Sequence, residues 1–143
     1  MKIRCLIPSV DRRALLFVVG MVMGTAEAGA QEILLFGGPG NDEYMGSLTG
    51  RFDSDSVCNR YGKFGSRFNQ ESIWSRFGKG SRFDADSPWN RFGGPVMVDR
   101  EGNFYGTFSI GARTDMGRAL RRLHDRANGD LDELRDLFCD ALE

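Results

Sequence analysis

Asp55-Ser-Val-Cys-Asn-Arg-Tyr-Gly-Lys-Phe-Gly-Ser-Arg-Phe-Asn-Gln70 runs directly into Glu71-Ser-Ile-Trp-Ser-Arg-Phe-Gly-Lys-Gly-Ser-Arg-Phe-Asp-Ala85, and Asp86-Ser-Pro-Trp-Asn-Arg-Phe-Gly93 opens a third unit that stops short. The second unit is one residue shorter than the first, because the aromatic equivalent to Phe64 is missing. Gly50-Arg51-Phe52-Asp53-Ser54 reads as the tail of a preceding unit. Six arginine–aromatic pairs result (Arg51-Phe52, Arg60-Tyr61, Arg67-Phe68, Arg76-Phe77, Arg82-Phe83 and Arg91-Phe92), at spacings of 9, 7, 9, 6 and 9 residues. Alternating long and short steps imply two structural sites per repeat, and the expectation is one inward aromatic at each, with arginine stems laid over the rings. Ser56–Gly62, Ser72–Gly78 and Ser87–Gly93 each read as one helical turn, with serine as N-cap and glycine as a left-handed stop. Pro88 suits the first position after such a cap. Residues 50–94 are therefore expected to form a turn-rich stack without strands.

Working outward, Ile33-Leu-Leu-Phe36 and Tyr44–Leu48 bracket Gly37-Gly-Pro-Gly-Asn-Asp42, a hairpin signature over residues 31–49. Pro95-Val-Met-Val-Asp99 and Phe104–Ile110 bracket Arg100-Glu-Gly-Asn103 in the same way, giving a second hairpin over 95–111. Thr114 can cap a helix along which Met116, Leu120, Leu123 and Ala127 fall at helical spacing. Asn128-Gly129 ends it, and Leu131, Leu134, Phe138 and Leu142 line a second helix, so 115–142 is an amphipathic helix pair. The fold class is α+β: hairpins flank a glycine- and aromatic-rich repeat, two helices follow, and residues 31–143 make one domain.

Residues 1–30 read differently. Lys2, Arg4, Arg12 and Arg13 precede an apolar run from Ala14 to Met23, and Ala28-Gly29-Ala30 offers a small-residue exit. That is the plan of a cleavable signal peptide, with cleavage after Ala30 and export to the periplasm or beyond. The apolar run is too short to span a bilayer, and no cysteine follows it to take a lipid.

The 143-residue chain carries a net charge of -1, and residues 46–95 hold eight basic and five acidic residues. Such a balance is a thin footprint for nucleic acid, and no membrane span is expected in the mature form. Beyond the leader stand two cysteines, Cys58 and Cys139. In an oxidising compartment they either pair or serve as small buried hydrophobes.

The unit Ser-[Val/Ile]-x-[Asn/Ser]-x-[Tyr/Phe]-Gly-x-[Tyr/Phe]-Gly-Ser-x-[Tyr/Phe], followed by Pro95-Val-x-Val-Asp-x-x-Gly-Asn-Phe-Tyr-Gly106, resembles a group of small exported bacterial proteins with no characterised activity. The resemblance covers most of residues 33–110 and carries over no catalytic residue. Gly46-Ser-Leu-Thr49 departs from it, since the group often has cysteines there.

Three functional readings compete. The first is a non-enzymatic envelope module that binds glycan or another envelope protein through Arg60, Arg76, Arg91, Trp74 and Trp89; flat rings with polar neighbours suit pyranose faces. The second is a calcium-stabilised module, because Asp53, Asp55, Asp84 and Asp86 place oxygen donors after the aromatics, although no unit has the spacing of a calcium loop. An Asx-turn explains the same aspartates. The third is an enzyme using Cys58 and His124, the chain's sole histidine, for which no orienting motif exists. No cofactor motif is present.

Overall fold

A computed structural model describes residues 31–142; the expected leader and its cleavage site lie outside the described residues. The first hairpin is β1 (Leu34–Gly37) with β2 (Glu43–Ser47), and the second is β3 (Val96–Val98) with β4 (Phe104–Thr107). They join edge to edge through β1 and β3, giving one antiparallel sheet in the order β2-β1-β3-β4. The repeat is thus an excursion that leaves from β2 and returns at β3. The helix pair is α1 (Asp115–Arg126) and α2 (Leu131–Leu142). Thr114 caps α1 by accepting from Gly117 N, and the Asp130 carboxylate accepts from Asp132 and Glu133 N at the start of α2.

The second hairpin explains its own motif. Asp99 Oδ1 accepts from the Glu101 and Asn103 backbone N–H, and its Oδ2 accepts from the Asn103 amide and the Tyr105 hydroxyl. Those bonds, Asn103's side chain foremost, hold the Asp99 carboxyl down at about 2. Gly102 supplies the left-handed backbone that the turn requires, with φ of 87°, and Gly106, with φ of 105°, lies within β4 where its pairing with β3 shifts register.

Between the hairpins the repeat is a run of β-turns chained end to end. Asp53, Ser56, Asn59 and Gly62 each donate a backbone N–H to the carbonyl three residues earlier, and the three-residue step continues from Ser66 to Gly93. At most turn starts a Ser, Asn or Asp side chain accepts from the N–H two residues on, as Ser72 does from Trp74 and Asn90 from Phe92. One four-residue step, Ser66 N to Gly62 O, absorbs the extra residue of the first unit.

This replaces the expected one-turn helices. Gly62, Gly78 and Gly93 are not left-handed stops, since none has positive φ. They are glycine because the path curls back on itself: an added Cβ at Gly78 would stand 2.1 Å from Gln70 O, and at Gly93 2.0 Å from Ala85 O.

The expected direction of the rings is also inverted. Cys58, Trp74 and Trp89 form the inward column, all buried, with Val57, Ile73 and Pro88 beside them. Each indole N–H reaches back one unit, Trp74 to Val57 O at 2.6 Å and Trp89 to Ile73 O at 2.7 Å, and the two indoles stack at 5.5 Å. Phe108 and Phe138 close the column edge-on at 5.5 Å from each other. The aromatic of every arginine–aromatic pair points to solvent instead.

Candidate binding face

The outward rings Phe52, Tyr61, Phe68, Phe77, Phe83 and Phe92 are between 81% and 100% exposed. An isolated exposed phenylalanine needs no explanation, but six exposed rings at the two fixed positions of a repeat make a patterned apolar surface of the kind that marks a contact surface. Their placement follows from the turns: with every third residue engaged as acceptor or close-approach glycine, the two residues between are thrown outward or inward according to which unit position they hold.

The arginines beside them divide into two groups. Arg51 pairs with Asp140, Arg60 with Asp136 and Arg67 with Asp132, so successive arginines meet aspartates spaced four apart along α2. Buried Arg135 sits between two of those aspartates, its nitrogens 3.7 Å from Asp132 and from Asp136, and its Nη1 donates to Gly65 O at 3.5 Å. Cys58 is disulfide-bonded to Cys139 on the same helix. The first half of the repeat is thereby laced to α2 by three ion pairs and a covalent bridge.

Arg76, Arg82 and Arg91 lie beyond the start of α2 and make no ion pair with a described carboxylate. Together with Phe77, Phe83 and Phe92 they line one wall of an open groove of about 1600 Å³. The Arg82 guanidinium lies over the Phe83 ring, 4.8 Å from its centroid. The side formed by the α1–α2 corner carries Asp125, Asp130 and Glu133, with Arg121, whose guanidinium donates to the Ile110 and Ala112 carbonyls. Asp130 is held below the ordinary carboxylate range by the backbone N–H groups of Glu133 and Asp132, with further attraction from Arg76 and Arg67. His124 stacks on Trp89 at 6.1 Å at the groove floor.

The sequence-based candidates sort accordingly. Arg76 and Arg91 reach the groove; Arg60 serves the α2 contact. Trp74 and Trp89 are corrected from binding to core: both are buried, and both indole N–H groups are already donated to carbonyls. Asp53 and Asp84 accept from Asp55 and Asp86 N as Asx-turns. Burial pushes the Asp86 carboxyl up, but the Gly38 N–H and the Lys79 ammonium outweigh it and keep it ionised at the root of the β1–β2 turn. Among the described residues no group of three or more His, Cys, Asp or Glu is placed to share a metal ion. Cys58, bonded to Cys139, has no thiol to pair with His124. The outward rings were missed as a group, although their strict adjacency to arginine was the signal. Comparison with family models, curated proteins and solved structures returns no match to the chain.

Proposed function

We propose that this chain is an exported, non-enzymatic binding module of the cell envelope whose ligand is a glycan. The observation that carries the reading is the set of six outward rings, each beside an arginine, on a hydrogen-bonded, disulfide-tied stack. Phenyl and phenol faces cover the C–H faces of pyranose rings, and the guanidinium groups of Arg76, Arg82 and Arg91 donate to sugar oxygens. A backbone held by chained turns and a disulfide presents those faces with little backbone ordering cost on binding. Export is supported by the plan of residues 1–30 and by a bridge that an oxidising compartment would maintain.

The test is co-sedimentation of the purified protein with insoluble peptidoglycan sacculi. Native protein is expected in the pellet. The triple variant Tyr61→Ala, Phe77→Ala, Phe92→Ala is expected in the supernatant with an unchanged melting temperature, since these rings contribute little to the core. Native protein left in the supernatant, or a triple variant that still pellets, would overturn the assignment.

A further inference from the structure

The same motif is used in two ways along the chain. Arg51, Arg60 and Arg67 are neutralised by the aspartates of α2, whereas Arg76, Arg82 and Arg91 keep their charge facing the groove. We infer that the groove between the second half of the repeat and the α1–α2 corner is a subsite for acidic sugar, a pyranose bearing a carboxylate. This deepens the glycan reading and rests on it.

Both walls fit that chemistry. A carboxylate needs a cationic donor, and guanidinium offers a planar fork of N–H groups matched to it. Sugar hydroxyls need acceptors, and Asp125 and Glu133 supply them across the groove. Phe77, Phe83 and Phe92 supply the flat apolar contact between. A polyanion without hydroxyl groups would be repelled by the carboxylate wall and would leave its acceptors unused, and a neutral sugar would leave Arg82 and Arg91 without a counter-charge. An acidic sugar, with one charged and several hydroxyl groups per ring, uses both walls at once.

The experiment measures the purified protein's affinity for polygalacturonate, which carries a carboxylate on each ring, and for pullulan, which carries none. Polygalacturonate is expected to bind more tightly, with a preference that shrinks as salt rises. The double variant Arg82→Gln, Arg91→Gln is expected to lose about tenfold in affinity for polygalacturonate and little for pullulan, as two partly solvated charge contacts would give. Arg60→Gln removes an identical motif residue on the α2 side and is expected to keep the preference. Equal affinity of the native protein for the two polymers would refute the acidic subsite while leaving the glycan reading standing. An equal loss in Arg60→Gln and in the double variant would refute the assignment to the groove. Binding to neither polymer by protein that melts normally and still pellets with sacculi would also refute the subsite; failure with sacculi as well would take both down.

Discussion

Gly78 to alanine is the sharpest perturbation of the stack. The new Cβ would stand 2.1 Å from Gln70 O, where ordinary contact begins at 3.4 Å, so the two passes of chain must separate by more than an ångström. They are pinned by the Lys79 N–H donating to that same Gln70 carbonyl at 2.8 Å. Breaking that bond costs about 1 kcal/mol and forcing the passes apart about 1–3 kcal/mol, against which the stiffer unfolded chain returns about 0.4–1 kcal/mol. The net destabilisation is about 1–4 kcal/mol, which at about 4 °C per kcal/mol lowers the melting temperature by about 4–15 °C. Gly50 is the matched control: it has no positive φ, and nothing lies within 4 Å of its added Cβ. Gly50→Ala is expected to leave the melting temperature unchanged or to raise it by about 2–4 °C. Thermal unfolding followed by circular dichroism reads both. A Gly78→Ala melt that coincides with Gly50→Ala would mean the passes are not stacked at this distance, and the account of the glycines would fail.

Replacing Cys58 and Cys139 together by alanine opens a loop with a sequence separation of 81, and is expected to cost about 4 kcal/mol in denaturant titration; a loss under 1 kcal/mol would be too small for a bridge that constrains the unfolded chain. Asp99 has a folded pKa of about 2 against an ordinary 3.8, so it stabilises the fold above pH 4 and that contribution fades as pH falls towards 2. Asp99→Asn should flatten the stability profile across that window, and an unchanged acid limb would refute the assignment. Along α2, Asp140→Asn should cost less than about 0.5 kcal/mol because its partner Arg51 is partly solvated, whereas Asp136→Asn should cost more because it also removes a carboxylate from buried Arg135. Equal effects at the two positions would count against the interleaved arrangement.

The hairpins and helices were legible because their signals are local. Thr114 caps α1, Asn128 and Gly129 turn the chain with φ of 51° and 73°, and Gly102 completes the Asp99 turn, all within a few residues of the element each one bounds. The joining of β1 to β3 was not legible, because it pairs segments some sixty residues apart through short runs that carry no register of their own. Inside the repeat, serine before an apolar residue and glycine six positions on fit helix capping and chained turns equally well, since both use a side-chain oxygen to accept from an N–H two or three residues ahead. What separates them is the polar residue at every third position (Asp53, Ser56, Asn59, then Ser66, Asn69, Ser72), a period shorter than the repeat that draws the eye. The inversion of the rings has a related cause. The outward position is nearly uniform, always phenylalanine or tyrosine, and so resembles a core; the true core position varies from Cys58 to Trp74 to Trp89 because each level of the column meets a different neighbour, Cys139, Phe138 or Phe108.

The division of the array between holding and exposing its arginines comes down to where α2 begins. Aspartates four residues apart on a helix share one face at about 6 Å spacing, so Asp140, Asp136 and Asp132 form a ladder that Arg51, Arg60 and Arg67 meet in order. Twelve residues of helix extend about 18 Å, and the aspartate nearest its N-terminus, Asp132, is already paired with Arg67. The helix cannot start earlier, because Asn128 and Gly129 take left-handed backbone to reverse the chain out of α1. Arg76, Arg82 and Arg91, later in the chain than Arg67, find no α2 aspartate left to meet and line the groove instead. A single sequence motif can in this way serve as scaffold at one end and as contact surface at the other, with no change in the motif itself, only in the length of the element packed beside it.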